Sequence, residues 1–331
     1  MTETMWSAVF DRHGGPEVLE YRQVARPQPG PREILVRVSY CALNALDYFV
    51  RRGVPGIEVN LPHISGGDVV GRVEQGGNET GQDLLGRLVL LDPLVEGEAL
   101  GESRPGGLAE YIVAPAANAM PLDEATEHPE YFAALPIAYG TAHRMLHTRG
   151  RLRRGETVVV LGAAGGVGVA CVQLALLAGA RVIATSSSPA KLARISELGP
   201  VETVDTSVDD FSARVWTLTG KMGADLLVDY IGRDTLARSI RATRRGGRIV
   251  VCGASSGAEA TVDLRYLWVR ELDLLGSDGW RRSDLESLCQ LVAAGDLVPV
   301  IDSIFPLSRV AEAMAAVEER SAFGKVLVRV E

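Results

Sequence analysis

Cysteine is scarce and scattered: Cys41, Cys171, Cys252 and Cys289 are the only four in 331 residues, and no two form a CxxC pair. That excludes a disulfide framework and a thiolate zinc knuckle, and leaves small buried side chains as their expected role. Positive charge is also short. The 34 Lys and Arg against 42 Asp and Glu leave a formal charge of -8, which supplies no broad basic field for a nucleic-acid backbone or an anionic membrane. No apolar run approaches the roughly 20 residues of a membrane span, and residues 1–9 lack the basic-then-apolar layout of a signal peptide. A cytosolic (cytoplasmic) protein is expected, with neither nucleic acid nor membrane as partner. With 47% hydrophobic and 23% charged residues the chain reads as compact rather than disordered, with enough polypeptide for two domains.

Residues 5–122 carry short β-type runs punctuated by Gly and Pro, among them 34–40, 69–73 and 88–91, which predict a β-dominated domain. From about residue 136 strand and helix signals alternate. Strands are expected at 157–161, 181–185, 201–204, 225–229, 248–252 and 272–276, with helices at 166–178, 189–198, 207–219 and 234–245. Six strands with crossover helices describe a doubly wound parallel sheet, so the fold class is α/β. A helix at 283–294, a strand at 298–305, a helix at 308–319 and a strand at 325–330 close the chain. Residues 96–107 read as a polar, Gly-containing loop.

Directly after the first strand of the alternating region stand Gly162, Ala163, Gly165, Gly166, Val167 and Gly168, leading into an apolar helix. A turn without side chains lets backbone N–H groups and the positive end of the helix dipole approach a pyrophosphate, and Gly168 permits close helix–sheet contact. Its place between strand and helix makes this a dinucleotide-site hypothesis. The second strand ends in Ser186, Ser187 and Ser188 with Lys191 beyond them, so hydroxyls and a cation stand where an NAD site usually places a carboxylate. NADPH is therefore expected over NADH, with Ser186 or Ser187 donating hydrogen bonds to the 2′-phosphate and Lys191 supplying charge. The rest of the crevice rim falls at 205–207, 230–232, 253–255 and 277–279.

The chain resembles the medium-chain dehydrogenase/reductase superfamily, and within it the zinc-free quinone oxidoreductase-like branch. The likeness is carried by Gly14-Gly-Pro-Glu-Val-Leu19, Ala42-Leu-Asn-Ala-Leu-Asp47, Pro62-His-Ile-Ser-Gly-Gly-Asp68, Gly107-Leu-Ala-Glu-Tyr111, Tyr139-Gly-Thr141, the glycine turn, Gly246-Gly-Arg-Ile-Val-Val-Cys-Gly253 and Phe323-Gly-Lys-Val-Leu327. It implies a GroES-like domain over 1–122 completed by 278–331, a Rossmann NADP-binding domain over 123–277, an active site in the cleft between them, and a homodimer pairing cofactor sheets through 272–276. The positions matching the zinc ligands of metal-dependent relatives are Asn44, Gly67 and Ile137, none of them a usual zinc ligand. His143 and His147, spaced i, i+4, lack the glutamate of an HExxH site and read as ordinary helix-face residues.

Without a metal, the strongest reagent is a nicotinamide, and hydride passes most easily to an acceptor whose charge delocalises onto oxygen: a quinone, or an enone or enoyl double bond. The amide of Asn44 or the hydroxyl of Tyr48 is a candidate donor to that oxygen, while Tyr48, Tyr139 and water remain open as the proton source. The resemblance further places Asp47 near the nicotinamide, with its carboxylate expected to hold the loop through backbone hydrogen bonds, Thr141 against the nicotinamide face, Gly253 and Ser277 at its edge and Lys325 at the cofactor phosphates. It also puts Thr206 where quinone reductases often stack an aromatic residue on adenine. Tyr48, Phe49 and Trp280 are candidate substrate walls. Two other readings are a metal-independent alcohol or ketone oxidoreductase and a non-redox protein that retains the dinucleotide fold.

Overall fold

Valine-rich runs, buried continuously over much of their length, build the first sheet. In the computed structural model, which describes residues 3–53, 58–95 and 97–330, the chain divides into two units: Met1–Ile137 with Leu285–Glu331, and Ala138–Asp284. Glu96, where the expected polar loop begins, lies outside the described residues. The first unit carries a sheet ordered Ile301–Pro306, Lys325–Arg329, Glu33–Leu43, Asp68–Gly76, Leu88–Leu91 and Ala119–Pro121, with Tyr111–Pro115 also pairing on Glu33–Leu43. Ile34, Val36 and Val38 point into its core with Val69, Val89 and Val328, all with no exposed surface. The antiparallel register of Val326 against Leu43 draws Lys325 up to Asn44, and so positions the charged groups of this unit.

The second unit is a parallel six-stranded sheet in the order Val201–Asp205, Arg181–Ser186, Thr157–Val160, Ala224–Val228, Thr243–Val251 and Asp273–Gly276. Val158, Val159 and Val160 are wholly buried, as strands covered on both faces must be. Strand order reverses between Thr157–Val160 and Ala224–Val228, which is where such sheets bind ligands. The helix Gly166–Leu177 leads out of the glycine turn and buries Val169, Cys171, Val172 and Leu174. Pro189 opens the helix Pro189–Ser196, whose cap is the Ser188 hydroxyl accepting from the Lys191 N–H. Of the four cysteines, Cys41 and Cys171 are buried and Cys252 and Cys289 half-buried, and none is in a disulfide among the described residues.

Several boundaries differ from expectation for local reasons. The helix expected from 207 begins at Phe211, because Asp205 folds back on the Ser207 N–H and Asp210 caps Phe211–Leu218 through the Ser212 N–H. The helix expected to reach 245 ends at Ala242. Thr243 turns extended to pair with Ala224, its hydroxyl donating to Ser239 O. An unforeseen helix, Leu264–Arg270, is capped by Asp263 and buries none of its residues. The two units divide at 137/138 and 284/285, with the helix Pro129–Ala133 packed on the strands Glu33–Leu43 and Asp68–Gly76 of the first.

Candidate active site

The second unit holds the glycine turn. Gly162 adopts φ 59°, and its N–H donates to Thr185 Oγ1 at 3.3 Å while the Ala163 N–H donates to Thr185 O at 2.9 Å. A Cβ at Gly165 would meet nothing nearer than Gly162 O at 3.9 Å, so this face is open to a ligand. Gly168 is the opposite case: a Cβ there would lie 2.5 Å from Gly162 O and 2.6 Å from the Tyr230 hydroxyl. Beyond Gly165, Gly166, Val167 and Gly168 form the first helical turn, whose N–H groups have no carbonyl of the helix before them.

Ser186 is buried at the end of its strand, Ser187 is exposed, and Lys191 and Thr206 are half-buried, the Thr206 N–H donating to Ser186 O at 3.0 Å. One carboxylate does stand nearby. Asp205 pairs in register with Ser186 on the neighbouring strand, and hydrogen bonds from the Ser207 hydroxyl and N–H hold its carboxyl below the usual range. Further along the sheet ends are Gly253, where a Cβ would make only ordinary contact with Tyr230, and Ser277. The Ser277 hydroxyl is buried and has no hydrogen-bond partner among the described residues. An orphaned buried hydroxyl at the carboxyl end of the sheet fits a polar ligand edge there. Thr141 is buried on Gly140–His143, a helix packed against Gly166–Leu177.

Tyr139 is buried, and its hydroxyl donates to Gln173 Oε1 at 2.6 Å. Trp280 is buried in the second unit. His143 and His147 are more than helix decoration: His143 Nδ1 lies 2.9 Å from Oδ1 of the buried Asp284, and burial, reinforced by neighbouring His143, lowers His147 to about 4. The chain between Leu135 and Arg149 carries two wide turns, Leu135–Tyr139 and Arg144–Arg149, around Gly140–His143. Wide turns of this kind recur at functional sites.

In the first unit Asn44 caps the helix Ala45–Arg52, and Asp47 sits in that helix's first turn. Asp47 Oδ2 accepts the Asn44 N–H at 2.7 Å and Oδ1 the Gly66 N–H at 2.9 Å. Burial, with the charge of Asp68 adding to it, raises the Asp47 carboxyl to about 7. Both oxygens hold loops together, the role expected of this carboxylate. The Lys325 ammonium, expected at cofactor phosphates, donates here to Leu43 O at 3.0 Å, Asn44 Oδ1 at 2.6 Å and Asp68 Oδ2 at 3.0 Å, one bond for each of its protons. Asn44 Nδ2 donates to Asp68 Oδ2 at 2.8 Å, while its other neighbour, Ala42 O, is 3.5 Å away. The amide is thus oriented with one hydrogen weakly held. Tyr48 belongs to the core, its ring 4.5 Å from that of Phe49 and 5.4 Å from the Arg52 guanidinium, and burial raises its phenol. Phe49 is half-buried against the same core.

Asp68 and Tyr230 are the residues whose importance sequence reasoning missed. Asp68 ends the Pro62–Asp68 motif and Tyr230 stands on the crevice rim, but pairing across 257 positions in the first case carries no local signal.

Residues 30–124 match the family model of the alcohol dehydrogenase GroES-like domain, and residues 166–294 that of zinc-binding dehydrogenase. A quinone oxidoreductase of Pseudomonas aeruginosa is 30% identical over 331 residues, covering 96% of this chain and 98% of the relative. Among solved structures, an NAD-dependent alcohol dehydrogenase aligns with a TM-score of 0.92 and 39% identity, covering 99% of this chain and 100% of that one. The 2-octenoyl-CoA carboxylase reductase CinF, solved with NADP and 2-octenoyl-CoA, aligns with a TM-score of 0.86 and 26% identity, covering 98% and 87%.

The zinc in the name of one of these families does not fit the residues present. Asn44 is bound between an ammonium and a carboxylate, and a side chain at Gly67 would start 2.8 Å from Leu100 O and 3.2 Å from the Ile137 methyl. A nicotinamide dinucleotide does fit, at the open turn and the unpaired Ser277 hydroxyl. The chain belongs to the medium-chain dehydrogenase/reductase superfamily, in its quinone oxidoreductase-like branch, and is an oxidoreductase of that family.

Proposed function

We propose that the protein is an NADPH-dependent reductase of quinones or carbonyl-conjugated double bonds that works without a metal. The observation that carries this reading is the Lys325–Asn44–Asp68 cluster, an internal cation and a carboxylate engaging Asn44, which by resemblance matches a zinc-ligand position of the metal-dependent relatives. With no Lewis acid to polarise an alcohol oxygen, an acceptor that spreads its own negative charge is favoured. The quinone oxidoreductase and the enoyl-CoA enzyme among the relatives point to acceptors of that kind.

Bound at the second unit, the nicotinamide would supply the hydride. The turn amides from Gly165 to Gly168 would hold the pyrophosphate, Ser186, Ser187 and Lys191 the 2′-phosphate, and Thr141, Gly253 and Ser277 the nicotinamide end. Asn44 would offer its weakly held amide hydrogen to the enolate or quinol oxygen. With Tyr48 and Tyr139 engaged elsewhere, the proton for the carbon or second oxygen comes from water. A homodimer through the sheet edge fits the same reading. Asp273–Gly276 is an edge strand with Leu274 44% exposed, and Trp268 on the unburied helix is 64% exposed.

The test is NADPH oxidation with a panel of quinones, enones and enoyl thioesters. Acceleration by at least one conjugated acceptor is expected. Tight NADPH binding with no acceleration by any of them would overturn the reading.

A further inference from the structure

We propose that Tyr230 is a positioning residue that presets the glycine turn for a pyrophosphate, a role that rests on the dinucleotide reading of that turn. The Tyr230 hydroxyl donates to Gly162 O at 2.6 Å, and the missing side chain of Gly168 leaves the space it occupies. The opposite end of the same residue is held too, since the Gly162 N–H donates to Thr185 Oγ1. Gly162, at φ 59°, is therefore gripped at N–H and C=O by two side chains from different strand ends. Fixing both ends orients the peptide leading to the open amides before any ligand arrives, which removes an ordering cost from binding.

Tyr230 can act this way because its own segment is rigid. Asp229 beside it is wholly buried and accepts from the Ile231 and Gly232 N–H groups and from the Thr235 and Ser239 hydroxyls. Four neutral donors around one carboxylate pin residues 229–235. Tyr230 O accepts the Ser255 N–H at 3.2 Å, and Ile231 O accepts from both the N–H and the hydroxyl of Ser256. The segment leaving Ala224–Val228 is thus tied to the one leaving Thr157–Val160, across the reversal of strand order.

Tyr230→Phe keeps the ring and removes only the hydroxyl. Titrations with NADPH, ADP-ribose and adenosine 2′-monophosphate, together with amide hydrogen exchange of the ligand-free protein, separate the possibilities. The two pyrophosphate ligands are expected to bind the variant about five- to tenfold more weakly, adenosine 2′-monophosphate to bind as before, and the amides of 162–168 to exchange several-fold faster, with those of Pro189–Ser196 unchanged. Unchanged exchange in the turn, or an equal loss for all three ligands, would overturn the role assigned to Tyr230. Wild-type protein that binds neither NADPH nor ADP-ribose would instead overturn the dinucleotide reading and the ligand preset with it, whatever the exchange result.

Discussion

The ammonium of Lys325 lies 3.0 Å from Asp68 Oδ2, and neither side chain has more than 1% of its surface exposed. The two are 257 positions apart and meet because the final strand pairs with Glu33–Leu43. A buried pair of this kind is expensive to break from one side, since the remaining charge has no solvent to turn to.

Lys325→Met is accordingly expected to destabilise the protein by about 3 kcal/mol, read from urea unfolding. Adding Asp68→Asn to it should cost much less than the sum of the two single changes, because the second removes the charge that the first stranded. Strict additivity would show that the two groups do not depend on each other.

Ser277→Ala separates binding from folding. Its hydroxyl is buried without a partner among the described residues, so stability should stay within about 0.5 kcal/mol of wild type or rise. NADPH affinity, read by quenching or enhancement of its fluorescence, should fall about three- to tenfold. A loss of stability with unchanged affinity would move the nicotinamide end away from Ser277.

Lys191→Ala is expected to weaken NADPH by about tenfold while leaving NADH nearly unaffected, because only the former carries a 2′-phosphate. Asp205→Asn works in the other direction. The Asp205 carboxylate sits level with Ser186 on the adjacent strand, and removing its charge should improve NADPH binding about two- to threefold at low salt. Equal losses for both dinucleotides in Lys191→Ala would place the phosphate elsewhere.

His147 gives a pH dependence of known sign. Burial takes it from 6.5 to about 4, so the unfolded chain binds a proton that the folded protein refuses between those values. Its contribution is intact above the unfolded value and is lost as pH falls toward the folded one. Partial exposure of the ring reduces the effect to about 1–2 kcal/mol. Urea midpoints of wild type and His147→Gln at about pH 7 and about pH 4.5 should diverge, the variant losing less on acidification. Parallel losses in the two proteins would remove His147 from the acid response.

Much of the second unit is legible from local pattern. The run Thr157–Val160, the glycine turn and the Ser188 cap announce themselves within a few residues, because strand burial, backbone access and capping are short-range requirements. Features that depend on distant partners stay hidden. Nothing in the sequence joins Lys325 to Asp68 or Tyr139 to Gln173, and only the fold brings each pair together. The helix Leu264–Arg270 escapes sequence reasoning because it is short and only half-buries one face, with Tyr266 and Leu267 on the core and Leu264, Trp268 and Val269 exposed. Asp205 escapes it because parallel register, not sequence spacing, brings the carboxylate beside Ser186.

The central proposal is that hydride passes from a nicotinamide to a conjugated acceptor without a bound metal, with Lys325 and Asp68 only orienting the Asn44 amide. Turnover of NADPH with a conjugated acceptor, measured before and after exhaustive treatment with a strong chelator and with the metal content determined in parallel, tests it most directly. The account predicts an unchanged rate with no stoichiometric metal; activity lost on chelation and restored by added zinc would contradict it.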